Sequence, residues 1–203
     1  MDIVLATKNK NKLREFREML KEMDVGVVSL DRFPDCPVVI EDGKSFAENA
    51  LKKARAVAEH TGQVSVADDS GLEVDFLGGQ PGIYSARYAG EEADDQKNNA
   101  KLLKELGAVP EEKRGAQFKC VIAVVDPHGK EQTVEGTCRG VIITDPRGGH
   151  GFGYDPVFLD KASGLTFAEM TPEQKNRVSH RSRAIRELKK ILMKLWHCTG
   201  FMT

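Results

Sequence analysis

VSVADDSGLEVD, residues 64–75, decides how the rest of the chain is read. Val64–Ala67 is a short apolar, β-forming run. It follows a segment marked as a helix, with Ser45 and Glu48 spaced as a capping box at its start and Gly62 as its stop. A strand that follows a helix this closely belongs to an α/β arrangement when another strand–helix unit precedes it. Residues 2–6, DIVLA, supply that strand, and Leu13, Phe16, Leu20 and Met23 recur at helical spacing behind it. The same stretch raises a chemical question. Asp68 and Asp69 stand side by side at the end of the run, where like charges repel. A surface turn tolerates such a pair, and a site that holds a hard cation demands it.

Working outward, VGVVSL (25–30) reads as a second strand. A loop with two prolines then leads to VVIE (38–41), a further strand ending at Glu41. GLEVDFLGGQPGIYSARYAG (71–90) reads as a structured loop anchored by Phe76, Ile83, Tyr84 and Tyr88. A helix over about 93–106 closes at Gly107, and two long strands, 118–126 and 131–144, meet at the turn Asp126–Gly129. RGGHGFGYDP (147–156) is a glycine-rich loop. Thr171, Pro172 and Gln174 mark another helix start, and a last helix from near Ser182 carries Ala184, Ile185, Leu188, Ile191, Leu192 and Leu195 on one stripe. There is no internal repeat, low-complexity tract or clear domain boundary. The expectation is one α/β domain, residues 1–203, with a mixed β-sheet flanked by helices.

Composition narrows the function classes. At 203 residues, with 40% hydrophobic residues, 30% charged residues and a net charge of −1, the chain matches a globular protein rather than a disordered or strongly nucleic-acid-seeking one. Cys36, Cys120, Cys138 and Cys198 form no C-x-x-C pair, which points to reduced thiols in a cytoplasmic protein. No apolar run is long enough for a signal peptide or a membrane span. Charge is nevertheless segregated. Residues 66–95 hold eight acids against Arg87 alone, and residues 175–194 hold eight bases against Glu187 alone. A magnesium-bound nucleotide needs both environments, whereas a basic helix face can equally be solvated surface.

Four motifs carry candidate chemistry. Thr7, Asn9 and Lys12, with Lys8, Lys10 and Asn11 between them, lie between a strand and a helix, where backbone N–H groups attract phosphate; a plain N-cap in a solvated basic turn is the other account. Asp69 can ligate magnesium or serve as base for an attacking water, with Glu41 completing the site; an acidic turn is the alternative. Successive strand residues face opposite ways, so Asp68 and Asp69 are expected to do different jobs. In Gly151–Pro156, glycines flank Phe152 so that a flat base can approach and stack while Asp155 accepts from its edge; a tight turn with a core aromatic is the reading that composition alone favours. Lys175, with Ser179, His180 and Arg181, offers donors that favour a purine bearing a six-oxo group over adenine.

Taken together, LATKNKNK, FAENALKKA, VADDSGLEVDFLGGQPGIYSARYAG, DQKNN, GFGYDPVF and EQKNRVSHRSRA resemble the inosine triphosphate pyrophosphatase family, in that family's order. The resemblance implies an elongated fold of two lobes with an active-site cleft, a homodimer, and magnesium-dependent cleavage of ITP, dITP or XTP to the monophosphate and pyrophosphate. It also implies that Thr7–Lys12 bind phosphate, that Lys53 is a catalytic phosphate contact, that Glu41 and Asp69 are metal-associated with Asp69 as base, and that Ser70 touches substrate. Phe152, Gly153, Tyr154 and Asp155 would form the base-stacking segment, and Lys175, His180 and Arg181 would read the base. Lys8 and Lys10 stand where many relatives carry smaller or neutral residues. WHCTGFMT at the C-terminus matches nothing in the pattern. The alternative in another class is a non-catalytic nucleotide or nucleic-acid binder using the basic segment, with no need of the carboxylates.

Overall fold

The N-terminal apolar run forms β1 (Asp2–Leu5) and leads into α1 (Lys10–Leu20), whose Phe16 and Leu20 are buried. β2 (Gly26–Ser29) and α2 (Phe46–Thr61) follow, then β3 (Ser65–Val74), α3 (Asp95–Leu106), β4 (Gly115–Val125) and β5 (Glu131–Ile142). β6 (Phe158–Asp160), β7 (Leu165–Thr166), α4 (Pro172–Val178) and α5 (His180–Cys198) complete the order. This computed structural model describes residues 2–92 and 94–198, the side chains of the last three excepted. All seven strands join one sheet in the order β2-β1-β3-β4-β5-β6-β7. β1 pairs in parallel with both β2 and β3, as the early strand–helix alternation predicted, while β5, β6 and β7 pair antiparallel, so the sheet is mixed.

Of the described residues, those up to Asp69, Cys120–Gly136 and those from Arg181 onward form one compact unit; Ser70–Lys119 and Thr137–His180 form another. In the first, the α5 stripe Ala184, Ile185, Leu188, Ile191 and Leu192 packs with Phe16 and Leu20 of α1 and with Ile3, Leu5, Val66, Ile122 and Val124 of the strands. Each large side chain fully buried in this way contributes about 1.5–3 kcal/mol. In the second, Phe118, Phe158 and Phe167 lie 4.7–5.7 Å apart between ring centroids, and Leu72, Val74, Leu102 and Leu106 complete their surroundings.

Helix ends follow local chemistry. Ser45 accepts the N–H of Glu48, and Gly62, at φ 63°, closes α2 in the left-handed conformation. The reciprocal half of that capping box is displaced by one residue, since the Glu48 carboxylate accepts from the N–H of Lys44 rather than Ser45. At α4 the box is complete between Thr171 and Gln174.

Several expectations are corrected. Residues 38–41 form no strand, and Val38 and Ile40 are 77% and 73% exposed. Apolar character alone cannot supply a neighbouring strand, and Pro37 has no N–H to give one. The acidic pair does not close its strand but lies inside it, because β3 runs on to Val74. Phe76 and Tyr84 are exposed, leaving Tyr88 as the buried aromatic anchor of the following loop. α5 begins at His180 rather than near Ser182. Cys36, Cys120 and Cys138 are free thiols, and the Cys198 side chain and residues 199–203 lie outside the described residues. Among the described residues no helix is long and apolar enough to cross a membrane.

Candidate active site

The β3 pleat sends its two aspartates to different partners. Asp68, 1% exposed, faces the helices on one side. Its Oδ1 lies 2.9 Å from Lys12 Nζ of α1, and its Oδ2 accepts from Arg181 Nε and Nη2 of α5, both at 3.1 Å. The Cys120 thiol is 3.7 Å from the same Oδ2, and Arg181 Nη1 donates to Glu15 Oε2 at 2.7 Å. Burial alone would raise the Asp68 pKa. Lys12, Arg181 and Lys53 outweigh it and hold the group well below the ordinary carboxylate range. The Arg181 guanidinium is raised in return, and burial beside Asp68 pushes the Cys120 thiol far above its usual value. Asp68 thus sits as a buried anion between Lys12 and Arg181.

Asp69, 6% exposed, faces α2. Asn49 and Lys53 stand one helical turn apart there and present Nδ2 to Asp69 Oδ2 and Nζ to Asp69 Oδ1, each at 3.2 Å. Lys53 also donates to Glu41 Oε1 at 2.7 Å and to the Asp68 carbonyl at 2.9 Å. The Asn49 amide cannot turn over, because its Oδ1 accepts the N–H of Gly43 at 2.8 Å and thereby fixes Nδ2 toward Asp69. Burial raises the Asp69 pKa, Lys53 and Lys12 pull it down, Glu41 adds to the rise, and the net shift is upward. Burial would lower the Lys53 ammonium, but Asp69, Glu41 and Asp68 raise it instead. A carboxylate whose proton affinity is raised, beside a permanent cation, is suited to accept a proton from water.

Asp69, Glu41 and Lys53, each expected in the site, are therefore brought together, with Glu41 carried on a coil segment rather than on a strand. Hard carboxylate oxygens of this kind suit magnesium, which takes one or two of them together with phosphate oxygens and water. Among the described residues no group of three or more His, Cys, Asp or Glu side chains assembles. The donor set fits a metal shared with a substrate and does not fit a closed protein cage.

The first loop is a built N-cap. Asn9 Oδ1 accepts from Asn11 N and Lys12 N at 2.9 and 3.2 Å, and Thr7 Oγ1 accepts from Asn9 N at 3.1 Å. Lys8 and Lys10 are exposed, whereas Lys12, expected in the phosphate loop, is paired with Asp68. Arg181, expected to read the base, is likewise committed to Asp68 and Glu15.

In the second unit, Asp155 Oδ2 accepts from Phe152 N at 2.8 Å and from Lys175 Nζ at 2.6 Å; both Asp155 and Lys175 are buried. Lys175 Nζ lies 4.8 Å from the Phe152 ring centroid. Gly151 has φ 77°, and a Cβ there would overlap the Asp155 carboxylate, so glycine is required on both counts. Asp155 thus shapes the loop and orients Lys175. Tyr154, expected in the stacking face, is buried in the core and donates its hydroxyl to Ser85 O at 2.9 Å. His180, 4% exposed, stacks on Phe118 at 4.6 Å. Ser70 is half-buried and follows Asp69 directly.

Asn49 and Glu15 escaped the reading from sequence. Asn49 carried a signal, since it occupies a position on the buried face of α2 shared with Phe46, Ala50 and Val57, where a polar side chain requires a partner. Glu15, on a helix rich in charge, carried none.

The sequence model of the Ham1 family matches residues 3–191. The dITP/XTP pyrophosphatase of Desulforamulus reducens is 52% identical over 196 residues, which cover 97% of this chain and 98% of that protein. That of Geobacter sulfurreducens is 55% identical over 187 residues, 92% of this chain and 94% of its own. Among solved structures, the Ham1 protein of Staphylococcus aureus matches with a TM-score of 0.86 at 40% identity, over 96% of this chain and 99% of the other. The Ham1 protein of Coxiella burnetii gives 0.87 at 39% identity over the same shares.

Proposed function

Because the chain belongs to the Ham1 family, we propose that it hydrolyses the non-standard purine nucleoside triphosphates ITP, dITP and XTP to the monophosphate and pyrophosphate, cleansing the nucleotide pool. The observation that carries the proposal is Asp69, a buried carboxylate with a raised pKa, held in one orientation by Asn49 and Lys53 and accompanied by Glu41. A purely binding module has no use for a carboxylate kept at such cost.

The chain's residues divide the work. Thr7, Lys8, Lys10, Asn11 and the N-terminus of α1 take the phosphates, and Lys53, held cationic by its neighbours, offsets their charge. Glu41 and Asp69 would hold magnesium. When bound, the metal would supply charge neutralisation on the phosphates and a lowered pKa for water. Asp69 accepts the proton of the water that attacks the α-phosphorus, the bond from that phosphorus to the bridging oxygen breaks, and pyrophosphate leaves. Phe152 stacks on the base, while Lys175 and His180 donate toward a six-oxo purine. The same reading takes the assembly as a homodimer, carried by the family resemblance, and the compartment as the cytoplasm, carried by the widely spaced cysteines.

Phosphorus NMR of ITP incubated with the protein and magnesium tests the reaction type. IMP and pyrophosphate are expected, and chelation of the metal is expected to stop their appearance. IDP with orthophosphate would overturn the assignment to the α–β bond. Binding without turnover, weakening steeply with salt, would favour the binding module.

A further inference from the structure

In the loop that carries Phe152, both backbone polar groups of one residue are held by α3. Gly153, at φ 63°, donates its N–H to Asp95 Oδ2 at 2.6 Å and accepts at its carbonyl from Asn99 Nδ2 at 2.8 Å. Asp95 and Asn99 lie one turn apart at the start of α3, and Asn99 Nδ2 also donates to the Asp95 carbonyl at 2.8 Å. Both hydrogens of that amide therefore meet carbonyls, and a turned-over amide would set its oxygen against two of them. On the chain's other side, Asn98 is 3% exposed and ties the preceding loop, accepting from Ala89 N and donating to the Ala86 carbonyl, which fixes the α3 N-terminus itself. The two flanks of Gly153 are anchored independently, Phe152 N on Asp155 and the Tyr154 hydroxyl on Ser85.

The geometry points to Asp95 and Asn99 as positioning residues that set the Phe152–Lys175 platform and thereby the affinity for the purine base. This rests on the reading above, in which that platform receives the base. Neither residue has a part in the phosphate chemistry. A flat aromatic contributes stacking only when its plane is held before the ligand arrives, and Gly153 is the backbone joint that sets the plane of its neighbour. Without the two bonds, the flanks stay anchored but α3 no longer fixes the peptide planes on either side of Gly153.

The test uses the full chain and the variants Asp95→Ala, Asn99→Ala and Asp95→Asn. The alanine variants are expected to raise KM for ITP about tenfold, the loss of one well-formed anchoring bond, with kcat nearly kept. Asp95→Asn retains an oxygen that can accept from Gly153 N and is expected to recover most of the loss. Inhibition by inorganic triphosphate, which has no base, is expected to stay as in the parent protein. Hydrogen–deuterium exchange over residues 148–156, read without nucleotide, is expected to quicken in the alanine variants and return in Asp95→Asn. An unchanged exchange rate, or a loss confined to kcat, overturns the assignment of these residues. Faster exchange with no effect of any variant on ITP would retain the loop anchor but overturn its role in base affinity. A parent protein that fails to cleave ITP refutes the proposed function instead, and exchange together with ITP binding by calorimetry still decides the inference.

Discussion

Asp69→Asn is expected to slow pyrophosphate release from ITP by about 10²–10⁴-fold, the span of a lost general base. The substitution keeps the shape and removes the proton acceptor. One carboxamide cannot satisfy both neighbours, since Lys53 Nζ and Asn49 Nδ2 are donors and Gly43 stops Asn49 from turning. The resulting donor–donor contact costs about 1–3 kcal/mol. Removing a carboxylate that burial disfavours offsets part of it. The fold is therefore expected to persist, with ITP still bound, and calorimetry beside the rate assay checks both. Turnover within tenfold of the parent protein would remove Asp69 from the chemistry.

Asp68→Asn is expected to do the opposite, lowering stability rather than acting first on the chemical step. Arg181 and Lys12 would lose a buried anion, and breaking such a pair costs about 3–5 kcal/mol, readable by urea unfolding at neutral pH. The sign of the pH dependence follows from the lowered pKa. Asp68 contributes its full stabilisation above the unfolded-state value, about 3.9, and loses it as pH falls toward the lower folded-state value. The gap between parent and variant is thus expected to be constant near neutrality and to shrink below about pH 4. Asp69, with its pKa raised, works in the other direction and costs stability when ionised. Equal stability of the two proteins at neutral pH would show that the Asp68 network contributes nothing net.

Much of this was legible because its causes are local. Capping residues marked α2 and α4, apolar spacing marked α1 and α5, and period-two alternation sent Asp68 and Asp69 to different partners as expected. What stayed hidden depends on partners distant in the chain. Asp68–Gly71 are weak strand formers, so β3 seemed to stop at Ala67, yet the charge of Asp68 is met by Arg181, 113 residues away, and by Lys12, and that of Asp69 by Lys53. Arg181 lay in a basic run that suggested a ligand, and nothing local announced its ion pairs with Asp68 and Glu15. VVIE had the composition of a strand and, among the described residues, no neighbour to pair with. Asp155 and Tyr154 sit in a motif whose residue types suggest base contacts, whereas their hydrogen bonds hold the loop that presents Phe152.

Base-selective hydrolysis at the α-phosphorus is read from pyrophosphate release with ITP, XTP, dITP, ATP and GTP at equal concentration in the presence of magnesium. Rapid release from the first three and little from ATP and GTP is the predicted result. Equal release from all five would contradict the selection assigned to Lys175 and His180, and release from none would contradict the catalytic role of Asp69.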